Sequence, residues 1–242
     1  MSKFSVFHSD LLNETYHFYR HPSGMKIYVF PKKMTTTYAL LATDFGSVDR
    51  TGADGEKYPA GVAHFLEHKL FSNEDGSDSF EKFSALGADA NAYTAATRTV
   101  YLFSATERVE EALTELIRFV THPYFTEESV ARERGIIGEE IRQTGDNPYN
   151  RAYYQMLRGL YASHPVKDEI CGSLASIEEI TPDVLYNAYR TYYTPANLTL
   201  VVCGNIIPET VAKIAEEELP PTPGAPRPPR GIVKESAAAL TR

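Results

Sequence analysis

The sequence predicts an α+β domain, an antiparallel-rich mixed sheet with helices packed over it. Three observations carry this reading. Strand-like stretches come in pairs joined by short turns, at residues 25–31 with 36–45 and at 90–95 with 99–105. Between and after them, residues 107–120 and 127–144 place apolar side chains at helical spacing instead. A near-continuous apolar run, NLTLVVC at 197–203, suits a buried central strand.

Composition narrows the function classes. With 242 residues, 43% hydrophobic and 23% charged, the chain is an ordinary globular sequence, long enough for one large domain or a domain plus a tail. A net charge of −8 argues against a nucleic-acid surface, because phosphate binding is dominated by Lys and Arg. Apolar runs such as Tyr38 to Ala42 are far too short to cross a bilayer, and the first twenty residues contain no apolar export core. A soluble cytoplasmic protein is expected, without membrane contact. Cys171 and Cys203 are too far apart to pair as a motif and read as two ordinary buried thiols.

In chain order, residues 4–20 form a lead-in with no clear assignment. Ser23-Gly24 makes a turn into the first strand, and Pro-Lys-Lys connects it to the second. Residues 46–58 are a polar, Gly-rich loop, after which Pro59 suits the first turn of a helix. Another polar loop, SNEDGSDS, precedes a helix at 80–86 that Gly87 stops. The stripe Val109, Leu113, Leu116, Ile117 and Val120 reads as core. The helix at 127–144 ends at Gly-Asp-Asn-Pro, and a tyrosine-rich helix follows from 148 to 161. His122 and His164 both precede proline at helix ends, where capping or turn roles fit them better than metal binding. Helices are expected at 173–180, at 182–193 with Thr181 as N-cap, and at 209–219. Residues 220–230, PPTPGAPRPPR, hold six prolines and read as a stiff linker.

The segment 61–71, GVAHFLEHKLF, organises the rest. Its His64, Glu67 and His68 form H-x-x-E-H. On a helix, His64 and His68 at i and i+4 share one face and can share one metal ion, while Glu67 reaches the edge of that face as a general base for a water. Zinc needs a third protein ligand and an open position. The alternative, a pair of satisfied core histidines, must still find partners for two imidazoles and a carboxylate in a helix that is apolar nearly all round. The 127–144 helix supplies candidates. Glu133 and Glu140, seven positions apart, fall on or beside its apolar stripe Val130, Ile137, Ile141, whereas Glu139 suits solvent. The pattern favours Glu140 as third ligand with Glu133 orienting a histidine, and leaves the exchange of those roles open.

These blocks together resemble the pitrilysin and insulinase family of zinc metallopeptidases, the inverzincins, over nearly all of residues 20–220. GVAHFLEHKLF is similar to the metal helix, GADANAYTAATRTVYLFSA to the strand pair after it, and ERGIIGEEIRQTGDNP to the downstream acidic helix. The resemblance implies zinc held by His64, His68 and Glu140, Glu67 as general base, Glu133 as the supporting glutamate, and Asn91 and Ala92 on the edge strand that holds an extended peptide. It implies the fold of the metal-binding half of such peptidases, residues 1–219, with 220–242 as linker and start of a second domain of like fold. Lys69 is more polar than the residue common in well-known members and suits bacterial half-length, processing-protease-like members better.

The implied activity is that of a zinc endopeptidase acting on oligopeptides or unfolded segments, completed by a second peptidase-like domain or subunit, in the latter case as a dimer. Two rivals are a non-cleaving subunit that binds peptides or a partner chain, and a metal hydrolase of another substrate such as an ester. Retention of all the ligand positions weighs against the first.

Overall fold

A computed structural model describes residues 4–235. Among the described residues, seven strands form one sheet: β1 (Ser5–Ser9), β2 (Glu14–Arg20), β3 (Lys26–Pro31), β4 (Thr37–Thr43), β5 (Asp89–Thr94), β6 (Thr99–Ala105) and β7 (Leu198–Gly204). Their spatial order is β1-β2-β3-β7-β4-β6-β5. All pairings are antiparallel except β3 with β7, where Ile27 lies opposite Leu200 and Val29 opposite Val202. The expected α+β class and the four expected strands are present, and β5 pairs with β6, but β3 and β4 do not pair with each other, because the apolar run at 197–203 inserts between them as the middle strand.

That run is buried on one face only. Leu198, Leu200 and Val202 are fully buried, while Thr199, Val201 and Cys203 between them are half-buried. The same alternation puts Ile27, Val29, Ala39, Leu41, Tyr101 and Phe103 under the helices. On the opposite face aromatic rings cover one another, Phe7 stacking on Tyr16 at 5.1 Å and Phe18 lying 5.0 Å from Tyr28. A sheet half-covered by its own aromatic side chains needs less from a second helical layer.

The unassigned lead-in is the β1–β2 hairpin, with Asn13 at its turn in the left-handed region at φ 49°. Asn adopts that conformation more readily than most residues.

Eight helices lie among the described residues: α1 (Val62–Leu70), α2 (Ser79–Ala85), α3 (Val109–Thr121), α4 (Glu127–Asp146), α5 (Pro148–Leu160), α6 (Leu174–Glu178), α7 (Pro182–Tyr192) and α8 (Pro208–Glu218). Against the sheet pack α1, α2, α3 and α8, while α4 and α7 pack on α1, and α5 and α6 on α4. Asp78 caps α2 one residue earlier than the sequence suggests, and Thr181 caps α7 as expected. His164 accepts from the Val166 N–H, and His122 follows the last turn of α3 with Nδ1 3.0 Å from the Arg118 carbonyl, so both serve their turns.

Pro59 does not open α1. The helix begins at Val62 after Gly61, whose φ of 93° only glycine adopts without strain. A Cβ on Gly61 would stand 2.5 Å from the Cys171 carbonyl oxygen, and one on Gly172 2.5 Å from that of Ala60. Two glycines thus bring the loop at 171–172 against the start of α1.

The proline-rich segment lies against the body. The Thr194 hydroxyl donates to the Ala225 carbonyl at 2.6 Å, and Arg230 makes a two-pronged ion pair, 2.7 and 2.9 Å, with the buried Asp49. Glu235 accepts from the successive N–H groups of Ala162, Ser163 and His164. No helix among the described residues is long and apolar enough to cross a membrane.

Candidate metal centre

Helix α1 holds His64, Glu67 and His68 in place through burial. Phe65, Leu66 and Leu70 are fully buried, so rotation about the helix axis is fixed and the polar face has one place to go. The two imidazoles lie 4.5 Å apart between ring centroids, tilted by 56°. Both His64 and Glu67 are 8% exposed.

Helix α4 is fixed just as firmly. Thr126 and Ser129 form a reciprocal cap at its start. Arg134 donates to the Ile177 and Ile180 carbonyls at 3.1 and 2.9 Å, which sets the rotation of α4 against α6 and the turn after it. Seven residues, roughly 10 Å along a helix, then separate Glu133 from Glu140. The two acids meet opposite sides of one ring. Glu133 Oε1 accepts from His68 Nδ1 at 2.9 Å, while Glu140 Oε1 and Oε2 stand 3.4 Å from His64 Nε2 and 3.6 Å from His68 Nε2.

The Glu140 distances are long for hydrogen bonds. They are right for neighbours on one coordination sphere. Ligand atoms at 2.0–2.1 Å from a tetrahedral zinc lie about 1.6 times that distance, roughly 3.3 Å, from each other. His64, His68 and Glu140 each offer a ligand atom within 4.8 Å of the others. Two imidazoles and a carboxylate are also the donor chemistry zinc accepts with one position left open. The residues fit the ion.

The two histidines are supported unequally. Glu133 puts the His68 proton on Nδ1 and leaves Nε2 to bind. His64 Nδ1 is buried with no hydrogen-bond partner among the described residues, so its ring is ordered by packing and by what meets Nε2. Burial works to lower the His68 pKa, but the Glu133 hydrogen bond and charge, with Glu67 and Glu140 behind them, leave it raised above the ordinary value. The Glu140 carboxyl is held below its ordinary value, first by contact with His64 and then by the charge of both rings, against the opposing effect of burial.

The cleft over these side chains is walled by β5 (Ala92, Tyr93, Thr94), α5 (Asn150, Tyr154) and the loop Glu169–Cys171. Strand β5 is an edge of the sheet, paired on one side with β6. Asn91 is exposed there, and its side-chain oxygen accepts from the Ala92 N–H at 2.8 Å. The sequence did not single out Thr94 or Tyr154, and it read Cys171 only as a buried thiol, which it is. Thr94 donates to Glu67 Oε2 at 2.5 Å. Burial pushes the Cys171 thiol up to about 11, so it is an unreactive wall of the cleft. Lys69 is 1% exposed and points away from the cleft, its ammonium donating to the Ser72 hydroxyl at 3.1 Å.

Residues 36–173 match the family model described as Insulinase (Peptidase family M16), and residues 179–241 match the model described as Peptidase M16 inactive domain. The chain is 43% identical over 239 residues to an uncharacterised Bacillus subtilis protein named zinc protease YmfH, covering 96% of this chain and 56% of that one. It is 32% identical over 189 residues to AlbF of the same organism, also named a zinc protease, covering 75% of this chain and 44% of AlbF. Among solved structures, an M16-like peptidase from Alicyclobacillus acidocaldarius superposes with a TM-score of 0.80 at 36% identity, over 90% of this chain and half of the other. Pitrilysin, at 20% identity and a TM-score of 0.82, shares the fold over 99% of this chain and 27% of its own. The chain thus spans about half the length of the curated relatives it matches.

Proposed function

Because the chain belongs to the insulinase family of peptidases, family M16, we propose that it is the zinc-holding half of a metalloendopeptidase acting on oligopeptides or unfolded segments. The observation that carries the proposal is the meeting of His64, His68 and Glu140 beside a buried carboxylate, Glu67, at the foot of a cleft walled by an edge strand. Zinc is the cofactor, and His64, His68 and Glu140 would hold it.

Zinc bound there would supply a Lewis acid for a scissile carbonyl and would lower the pKa of a water toward about 7. Glu67 accepts the proton of the attacking water and delivers it to the leaving amine, a role open to a carboxylate within hydrogen-bond reach. Glu133 keeps His68 in the tautomer whose Nε2 is free. Strand β5, with Asn91 and Ala92, holds an extended peptide by main-chain hydrogen bonds, which asks little of the substrate's side chains. The Ala92 N–H now occupied by Asn91's own side chain becomes available when that side chain swings aside.

Residues up to 219 form the peptidase-like domain in this reading, and the segment from 220 leads to a second domain or partner subunit that closes the cleft. Support comes from the half-length coverage of relatives. In the full-length protein, Glu67→Gln should keep its zinc and lose cleavage of a quenched fluorescent peptide. Cleavage by that variant at the parent rate would show that the base has been misassigned.

A further inference from the structure

The Thr94 hydroxyl ends the strand that walls the cleft, and its bond to Glu67 is among the shortest side-chain contacts around the candidate centre, 2.5 Å. The direction of that bond follows from proton bookkeeping. An ionised carboxylate only accepts. The neighbouring Thr99 hydroxyl, 3.3 Å from Thr94, gives its single proton to the Phe45 carbonyl at 2.9 Å. The Thr94 proton thus has two acceptors in reach, Thr99 Oγ1 at 3.3 Å and Glu67 Oε2 at 2.5 Å, and the much shorter contact to the carboxylate takes it.

Thr94 is itself held from several sides. The turn that follows it closes with Ala95 N–H donating to the Arg98 carbonyl at 2.8 Å. The loop after β4 grips the same turn, Ser47 and Val48 donating to the Ala95 and Ala96 carbonyls at 3.1 and 3.0 Å. A Cβ on Gly46 would fall 2.4 Å from the Ala95 oxygen, so loop and turn are in close backbone contact. A hydroxyl anchored this way is a fixed point against which a flexible glutamate can be oriented.

We propose that Thr94 is the positioning residue for Glu67. By occupying Oε2 it selects one carboxylate orientation and leaves Oε1 to exchange a proton. Because Thr94 also terminates β5, the base and the edge strand share one rigid support, and a peptide lying on the strand is registered to the base that attacks it. This rests on the endopeptidase reading for its kinetic consequence and on geometry alone for its structural one.

The test uses zinc-loaded full-length protein with Thr94→Val, which keeps the shape and removes the donor, and Thr94→Ser, which keeps the donor. Misplacing a base by about 1 Å is worth up to about a hundredfold in rate, so Thr94→Val is expected to lower kcat roughly 10- to 100-fold with KM within about twofold. Zinc content and Tm should be unchanged, and Thr94→Ser should recover most of the loss. The crystal structure of zinc-loaded Thr94→Val should show the Glu67 carboxylate turned away from its parent orientation. An unmoved Glu67 in that structure overturns the proposal whether or not the protein cleaves peptides, as does, where the parent cuts peptides, a Ser variant no faster than the Val variant. A displaced Glu67 in a protein whose parent form cuts no peptide would uphold the positioning role and sink the peptidase reading instead.

Discussion

Replacing Glu133 by Gln separates two effects of one hydrogen bond. In the parent, Glu133 Oε1 stands 2.9 Å from His68 Nδ1, and the Glu133 side chain is 14% exposed, so solvent screens the contact little. Removing an acid that orients a metal-binding histidine typically costs about 10- to 100-fold in metal affinity, roughly 1.4–2.7 kcal/mol. Gln keeps an acceptor oxygen and loses the charge, so the lower end, about tenfold, is expected at a pH where His68 carries no competing proton. Acidification acts the other way. Burial lowers the His68 pKa and Glu133 is the main influence raising it, so without Glu133 only the charges of Glu67 and Glu140 oppose burial and the pKa falls. Protons therefore compete with zinc at a higher pH in the parent than in the variant, and each unit of separation between the two pKa values erases about tenfold of the parent's advantage. Zinc affinity measured by competition with a chromophoric chelator should show the widest gap near about pH 8 and a narrower one near about pH 6. A gap that stays constant or widens on acidification would refute this account of His68, and no gap at any pH would detach Glu133 from the centre.

Two further outcomes probe the packing that builds the cleft. Gly61→Ala forces a left-handed backbone on alanine and drives its Cβ toward the Cys171 oxygen, so a loss of about 1–3 kcal/mol or more is expected as a lower Tm; an unchanged Tm would show that the loop at 171–172 has room to retreat. Lys69→Met removes a buried ammonium whose pKa burial depresses. The unfolded chain binds that proton more tightly, so the charge costs stability at neutral pH, and the cost disappears as pH rises toward the unfolded value of 10.5. Denaturant melts should find the Met variant more stable by about 1 kcal/mol near neutrality, converging with the parent at high pH. A Met variant less stable at neutral pH would mean that the Ser72 bond outweighs the burial.

Much of this architecture is legible in the residues. The period-two strands, the capping Thr181 and the helical stripes of α3 and α4 each announce themselves locally, and the structure places them within a few residues of where the pattern does. The i, i+4 spacing likewise puts two imidazoles on one face before any coordinates. The pattern alone leaves Glu133 and Glu140 interchangeable because both lie on the same stripe. Only the crossing of α4 over α1 shows one at Nδ1 of His68 and the other at Nε2. The place of Thr94 and Cys171 at the cleft has no sequence signal, since what brings them there is a hairpin end and a pair of glycines packing on distant backbone. The β1–β2 hairpin was obscured because Asn13, rather than glycine, occupies its left-handed turn. The one-sided burial of β7 was hidden by the apolar character of Val201 and Cys203, which half-exposed sheet faces tolerate.

The place of β7 between β3 and β4 sets a timetable for the chain as it leaves the ribosome. Two strands finished by Thr43 must wait for residues 198–204 before either gains its inner neighbour. At about 5–20 residues per second the delay is on the order of 10–30 s, during which unsatisfied strand edges are open to wrong pairing. The histidines and both acids emerge well before that strand does. A nascent chain can thus meet metal while the sheet that will hold the site rigid is still unfinished, and such long-range closure makes for slow folding.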